Sequence, residues 1–182
     1  MLNQINELLD MAQKHTKVVE LWLDGGWEKE NYLWPVQQIY SNVKERAPQC
    51  QVGVNWTVGS PQNVDQHPVL PNDQQEYFPI RYFPSDFRLG DPYLPKNPDP
   101  KLFVNQGQVY YMPFETTVVL GKRWFYHTDD NTPRPVAELA DLYNKATAQD
   151  NILILNVGPN RAGRIKDSDV EVLKQLKVNL GL

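Results

Sequence analysis

Val18-Val19-Glu20-Leu21-Trp22-Leu23-Asp24-Gly25-Gly26-Trp27 is the stretch on which the reading of this chain turns. It reads as a buried strand that delivers a carboxylate, Asp24, to its C-terminal tip. Two glycines let the backbone turn sharply there, and an indole follows. In parallel α/β folds the chemistry sits at the C-terminal ends of the strands. A carboxylate beside an aromatic ring is also a common arrangement in sugar-cleaving sites. The alternative is an Asp-Gly turn that only closes a strand. The rest of the chain decides between the two.

Upstream, Leu2, Ile5, Leu9 and Ala12 fall at helical spacing and predict an opening helix. The strand then runs over about 17–23. Downstream, Pro35 opens a second helix over about 35–46, with Val36, Ile39, Tyr40 and Val43 on its apolar face. Gln51-Val52-Gly53-Val54-Asn55-Trp56 reads as the next strand. Helix, strand, helix, strand implies a parallel sheet.

Residues 57–108 break that rhythm, with nine of the fifteen prolines and little periodicity. Six aromatics (Tyr77, Phe78, Tyr82, Phe83, Phe87, Tyr93) argue against disorder, and a loop of this length is usually functional. A short strand is expected near Ile80–Phe83. Regular order returns with Val109–Phe114, read as a strand ending at Glu115. Trp124-Phe125-Tyr126-His127 leads to a helix over about 135–148. Asn151–Val157 reads as a buried parallel strand. Ser168 and Glu171 form a capping box for a last helix. The total is four or five strands alternating with four helices, about half of a (β/α)8 barrel, which takes roughly 250 residues; the chain is either an open α/β sheet or a piece of a larger barrel.

Composition narrows the function. A chain of 182 residues supports one domain with a real core. Net charge is −4 with no basic stripe, so nucleic acid is not expected as a partner. The apolar runs are strand-length, so no membrane span is expected, and the N-terminus has no signal-peptide pattern. A single cysteine, Cys50, excludes an internal disulfide. His15, His67 and His127 lack ligand-like spacing, so no metal is expected.

Two carboxylates, Asp24 and Glu115, are placed at strand ends. Retaining glycosidases use such a pair about 5–5.5 Å apart, one attacking the anomeric carbon and the other protonating the leaving oxygen. Here the chain resembles a known family. Leu21-Trp22-Leu23-Asp24-Gly25-Gly26-Trp27, then Glu115, then Trp124-Phe125-Tyr126, then Leu153-Ile154-Leu155-Asn156-Val157-Gly158-Pro159 with Gly163, is similar in order and spacing to the α-L-fucosidases of glycoside hydrolase family 29.

The resemblance implies a (β/α)8-like, TIM-type barrel and a retaining fucosidase without a cofactor. Asp24 would be the nucleophile and Glu115 the acid/base, with Asp86 and Glu76 in reserve. Phe114 stands where members often carry Trp. The implied partner is a fucosylated glycan, and the implied setting is secreted, periplasmic or lysosomal. Residues 1–182 are expected to form a single partial domain, the C-terminal half of the catalytic barrel, with 57–108 as a long irregular insertion.

Among the aromatics, Trp27, Trp56, Trp124 and Tyr126 are the candidates for the sugar, and each also has a plain packing role open to it. Trp22 is assigned to the core, on the strand face opposite Asp24. The sequon Asn55-Trp56-Thr57 is discounted because it sits at a buried strand end. Two other readings stay open: a catalytically silent fragment or carbohydrate-binding remnant, and a barrel glycosidase of different specificity.

Overall fold

The computed structural model describes residues 1–29, 32–58, 75–90, 97–127 and 132–182, with the backbone alone at Trp27 and Gly90. His67, Tyr93 and much of the 57–108 insertion lie outside the described residues. The chain divides into two compact units. One comprises Met1–Gly90 with Asp99–Phe114, the other Asp91–Pro98 with Glu115–Leu182.

In the first unit α1 (Leu2–Ala12) buries Ile5 and Leu9, as its spacing predicts. They pack with Ile39 and Val43 of α2 (Val36–Arg46) and with Val52 of β2 (Gln51–Asn55). β1 (Glu20–Leu23) runs parallel to β2, with Leu23 opposite Val54. β2 runs parallel to β4 (Phe87–Gly90). The parallel order β1-β2-β4 puts the tips of β1 and β2 side by side. Gly53 lets β2 approach β4, because a Cβ there would stand 2.4 Å from the Phe87 ring.

β3 (Phe78–Pro79), β5 (Leu102–Asn105) and β6 (Gln108–Tyr111) form a second, three-stranded sheet. The β5–β6 hairpin closes through Gln106 and Gly107, at φ 49° and 80°. Two positive φ values define the turn whose twist suits a two-residue hairpin loop. Arg88 is buried between these layers. Its guanidinium donates to Asp99 at 2.7 Å and to the Pro100 carbonyl at 2.7 Å, and Nε donates to Met112 O at 3.0 Å. Lys101 completes the group on Asp99 at 2.6 Å.

The second unit holds β7 (Phe114–Val119) from Glu115 onward, with α3 (Val136–Thr147), β8 (Ile152–Asn156) and α4 (Asp167–Leu180). β7 and β8 are parallel, Glu115 opposite Ile152. Leu120, Leu139, Ala140 and Leu176 form its core.

Four expectations change. Val109–Phe114 is not one strand: β6 ends at Tyr111 and β7 begins at Phe114. Pro113 lies in the break and has no N–H to continue a ladder. β4 and β5, unexpected from the sequence, lie within the 57–108 insertion. The strand expected near Ile80–Phe83 is β3, two residues earlier, with Ile80 in a single bridge to Val58. Lys166, not Ser168, flanks the start of α4, and Ser168 instead donates to Asp169 at 3.3 Å.

Candidate active site

Asp24 directly follows β1, at its C-terminal tip, as expected. Gly25 takes φ 75°, a left-handed value that costs glycine nothing, and a 3-10 turn follows over Gly26–Glu28. Gly26 is held close. The Trp34 indole donates to its carbonyl at 2.8 Å, and a Cβ at this position would stand 2.7 Å from the Tyr82 hydroxyl.

The exposed Asp24 carboxylate accepts one hydrogen bond at Oδ1, from Asn55 Nδ2 at 2.9 Å. Asn55 ends β2 and is buried. Its own Oδ1 accepts from the Trp56 backbone N–H at 2.9 Å. Trp56 takes φ 56°, a rare backbone state for a bulky residue, and its N–H also donates to Leu89 O at 3.0 Å. Thr57 extends the knot by accepting from Leu89 N–H at 2.9 Å. With its amide engaged twice in the interior, Asn55 is a poor acceptor for a glycan, in line with the discounted sequon.

A cavity of about 240 Å³ lies at this tip. Trp22, Asp24, Gly26, Trp34, Val54 and Tyr82 are among its walls. This corrects the assignment of Trp22 to the opposite face. It stands two residues from Asp24, and strand alternation has a period of two, so the pair share a side. A larger cavity of about 840 Å³ runs along α2, past Gln37, Gln38, Ser41 and Glu45, and Asp24 is not in its wall. Asp24 opens into the smaller one. Trp34, Tyr82 and Asn55 were not candidates from the sequence. Asn55 had a signal: a polar residue closing the second strand as Asp24 closes the first.

Glu115 is placed differently from expectation. It is the second residue of β7, at that strand's N-terminal end, and fully buried. The two reserves hold backbone and side chains. Asp86 accepts from Tyr40 at 2.7 Å, from Val52 N–H at 2.7 Å and from Lys44 at 2.7 Å. Glu76 accepts from the N–H groups of Lys101 and Leu102, both at 2.9 Å. Trp56 is enclosed in the interior of the first unit, and the side chain of Trp27 lies outside the described residues.

In the second unit the aromatic run after β7 is clasped by the strand-end motif of β8. Asn156 Nδ2 donates to the Trp124 carbonyl at 2.7 Å. A Cβ on Gly158 would stand 3.4 Å from the Trp124 carbonyl oxygen and the Phe125 carbonyl carbon, close contact for main chain. Tyr126 is exposed, with the Arg161 guanidinium 5.5 Å from its ring centre. Gly163, at φ 72°, closes the turn in which Asn160 Oδ1 accepts from Ala162 and Arg164.

Parallel strands alternating with helices, with an acidic strand tip opening into an aromatic-walled cavity, define the class: part of a catalytic α/β barrel. The chain belongs to the alpha-L-fucosidase family, whose profile matches residues 1–180. It is 28% identical over 186 residues to a putative alpha-L-fucosidase 1 of Oryza sativa subsp. japonica, covering 96% of this chain and 32% of the rice protein. The chain spans about a third or less of the length of the curated relatives it matches.

Among solved structures, alpha-L-fucosidase isoenzyme 1 from Paenibacillus thiaminolyticus superimposes with a TM-score of 0.65 at 20% identity, over 100% of this chain and 38% of that one. A mutant of the fucosidase AlfC from Lactobacillus casei, in complex with 4-nitrophenyl α-L-fucopyranoside, superimposes with a TM-score of 0.60 at 20% identity, over 99% and 44%. The fold class is thus half of a (β/α)8-like barrel, mostly parallel, with a long insertion.

Proposed function

We propose that the intact protein is a retaining α-L-fucosidase that releases terminal L-fucose from glycans or glycoconjugates. Residues 1–182 form a single partial domain of its catalytic barrel. Asp24 is the nucleophile, attacking the anomeric carbon to form a covalent fucosyl intermediate that water then hydrolyses. The observation that carries this reading is the exposed Asp24 carboxylate at the C-terminal tip of β1, opening into the aromatic-walled cavity. At about 240 Å³ that cavity is smaller than the roughly 300–1,000 Å³ of pockets for drug-sized ligands, which suits one small ring.

Trp124 and Tyr126, on the clasped loop, are the aromatics assigned to the sugar, with Trp27 beside the nucleophile. Trp56, enclosed as it is, serves the site as a support. The substrate class follows from AlfC, which was captured with a nitrophenyl fucoside. No cofactor enters the scheme.

In the full-length protein, Asp24→Ala lowers turnover of an aryl α-L-fucoside by several orders of magnitude. Azide then restores part of it as fucosyl azide, because a small anion can occupy the vacated place and attack the same carbon. An alanine variant with near wild-type turnover would remove Asp24 from the mechanism. A panel of other aryl glycosides tests the specificity.

Glu115 carries the acid/base role in this scheme. Glu115→Gln then harms substrates with poor leaving groups most, since an activated aryl fucoside needs little protonation. Equal loss on both kinds of substrate assigns Glu115 to the buried framework of β7 instead.

A further inference from the structure

We propose that Asn55 is the positioning residue that orients the Asp24 carboxylate for attack, an assignment that rests on Asp24 as the nucleophile. Asp24 directly follows β1 and Asn55 ends the neighbouring parallel strand, with Leu23 opposite Val54, so the register brings a polar side chain from each tip to the same place. Asn55 Nδ2 donates to Asp24 Oδ1 at 2.9 Å. This occupies one carboxylate oxygen and leaves Oδ2 as the one available to the anomeric carbon.

The amide cannot serve equally well when flipped. Its Oδ1 accepts from the Trp56 N–H at 2.9 Å, and a flip would set NH2 against that N–H and oxygen against the carboxylate. That N–H is shared between Asn55 Oδ1 and Leu89 O. Asn55 is 2% exposed, so no solvent competes for the donor. The Trp56 N–H thus fixes the amide, and the amide fixes the carboxylate.

The rival explanation is that Asn55 only secures Trp56. Two substitutions separate the roles. Asn55→Asp keeps an oxygen to accept the Trp56 N–H but sets a second carboxyl, which shares a proton with Asp24, where the amide donor stood. Asn55→Ala loses both. In the full-length protein the proposal expects Asn55→Asp to lower kcat on an activated aryl α-L-fucoside by about 10²-fold, the scale of a small misplacement of reacting groups. KM stays near wild type, and the thermal midpoint falls because a second carboxyl is buried beside Asp24.

A double-mutant cycle adds a readout that a structural role would not give. In the Asp24→Ala background, Asn55→Ala leaves the azide-rescued rate unchanged, because the group it acts through is gone. A third measurement needs no turnover: in the full-length protein, Asp24→Ala shifts the Asn55 side-chain amide proton resonances and leaves the Trp56 backbone amide in place.

Wild-type kcat in Asn55→Asp, with Asp24→Ala inactive, overturns the role of Asn55 and keeps that of Asp24. An active Asp24→Ala ends both. If Asn55→Asp does not fold, the resonance test decides: unshifted Asn55 amide protons overturn the proposal and shifted ones support it.

Discussion

Tyr40 shows how a single side chain ties α2 to the sheet. Its hydroxyl donates to Asp86, which also takes the Val52 N–H and the Lys44 ammonium. Burial, and then the bond to Asp86 and its negative charge, push the phenol up to about 12 from its usual 10. The folded state therefore holds this proton more tightly than the unfolded chain. The stabilisation is fully present below the unfolded value of 10 and is lost as pH climbs through 12. Tyr40→Phe should cost about 0.5–1.5 kcal/mol near neutral pH, the usual net worth of a hydrogen bond, and more if the charge on Asp86 counts. The gap between variant and wild type should close at the alkaline end. Denaturant unfolding of both across that range checks it, and a gap independent of pH would refute it. The same three bonds commit both Asp86 oxygens to α2 and β2.

Among the elements, β2 and β4 approach closely at Gly53. A methyl group on Gly53 would fall 2.4 Å and 2.5 Å from two atoms of the Phe87 ring, and Phe87 is itself buried. Overpacking of this kind costs about 1–3 kcal/mol. Gly53→Ala should lower the thermal midpoint, and Gly53→Ala with Phe87→Leu should recover part of the loss; an unchanged midpoint in the single variant would count against it. This strand pair also shows what the sequence conceals. α1, α2, α3 and β8 were legible because each repeats an apolar pattern over several turns or a full strand. β4 was not, because its centre is Arg88. A buried guanidinium reads as surface until its partners, Asp99, Pro100 and Met112, are known, and all three come from later in the chain. Glu115 was misplaced by one strand boundary, since Val109-Tyr110-Tyr111-Met112-Pro113-Phe114 is apolar throughout and only the Met112-Pro113 break divides it. Asp24 was legible because its strand, its glycines and its position at the tip are contiguous. The Asn55–Asp24 bond was not, because it depends on the register between two strands.

For the molecule as a whole, the decisive fact is extent. The chain matches solved fucosidases over all of its own length but only 38% of the Paenibacillus enzyme. A barrel assembles its pocket from several strand ends. Within the first unit, β1 pairs only with β2 among the described strands, and all four of its residues are half-buried. An open sheet edge is a template for another chain. The 182-residue chain alone should therefore show no turnover of an aryl α-L-fucoside and should self-associate, as read by light scattering after gel filtration. A monodisperse, active monomer would replace the half-barrel account with that of a complete small enzyme. The clasp formed by Asn156 and Gly158 has a different consequence. Leu155-Asn156-Val157-Gly158-Pro159, the most specific fingerprint of the family here, engages main-chain atoms of Trp124 and Phe125 rather than a reacting group. Membership and activity are thus written in separate residues. On the proposed mechanism, a relative that had exchanged Asp24 or Glu115 for an inert side chain would keep the fingerprint and be counted as a fucosidase, so pseudoenzymes of this family are to be sought at those two positions and not in the motif that names them.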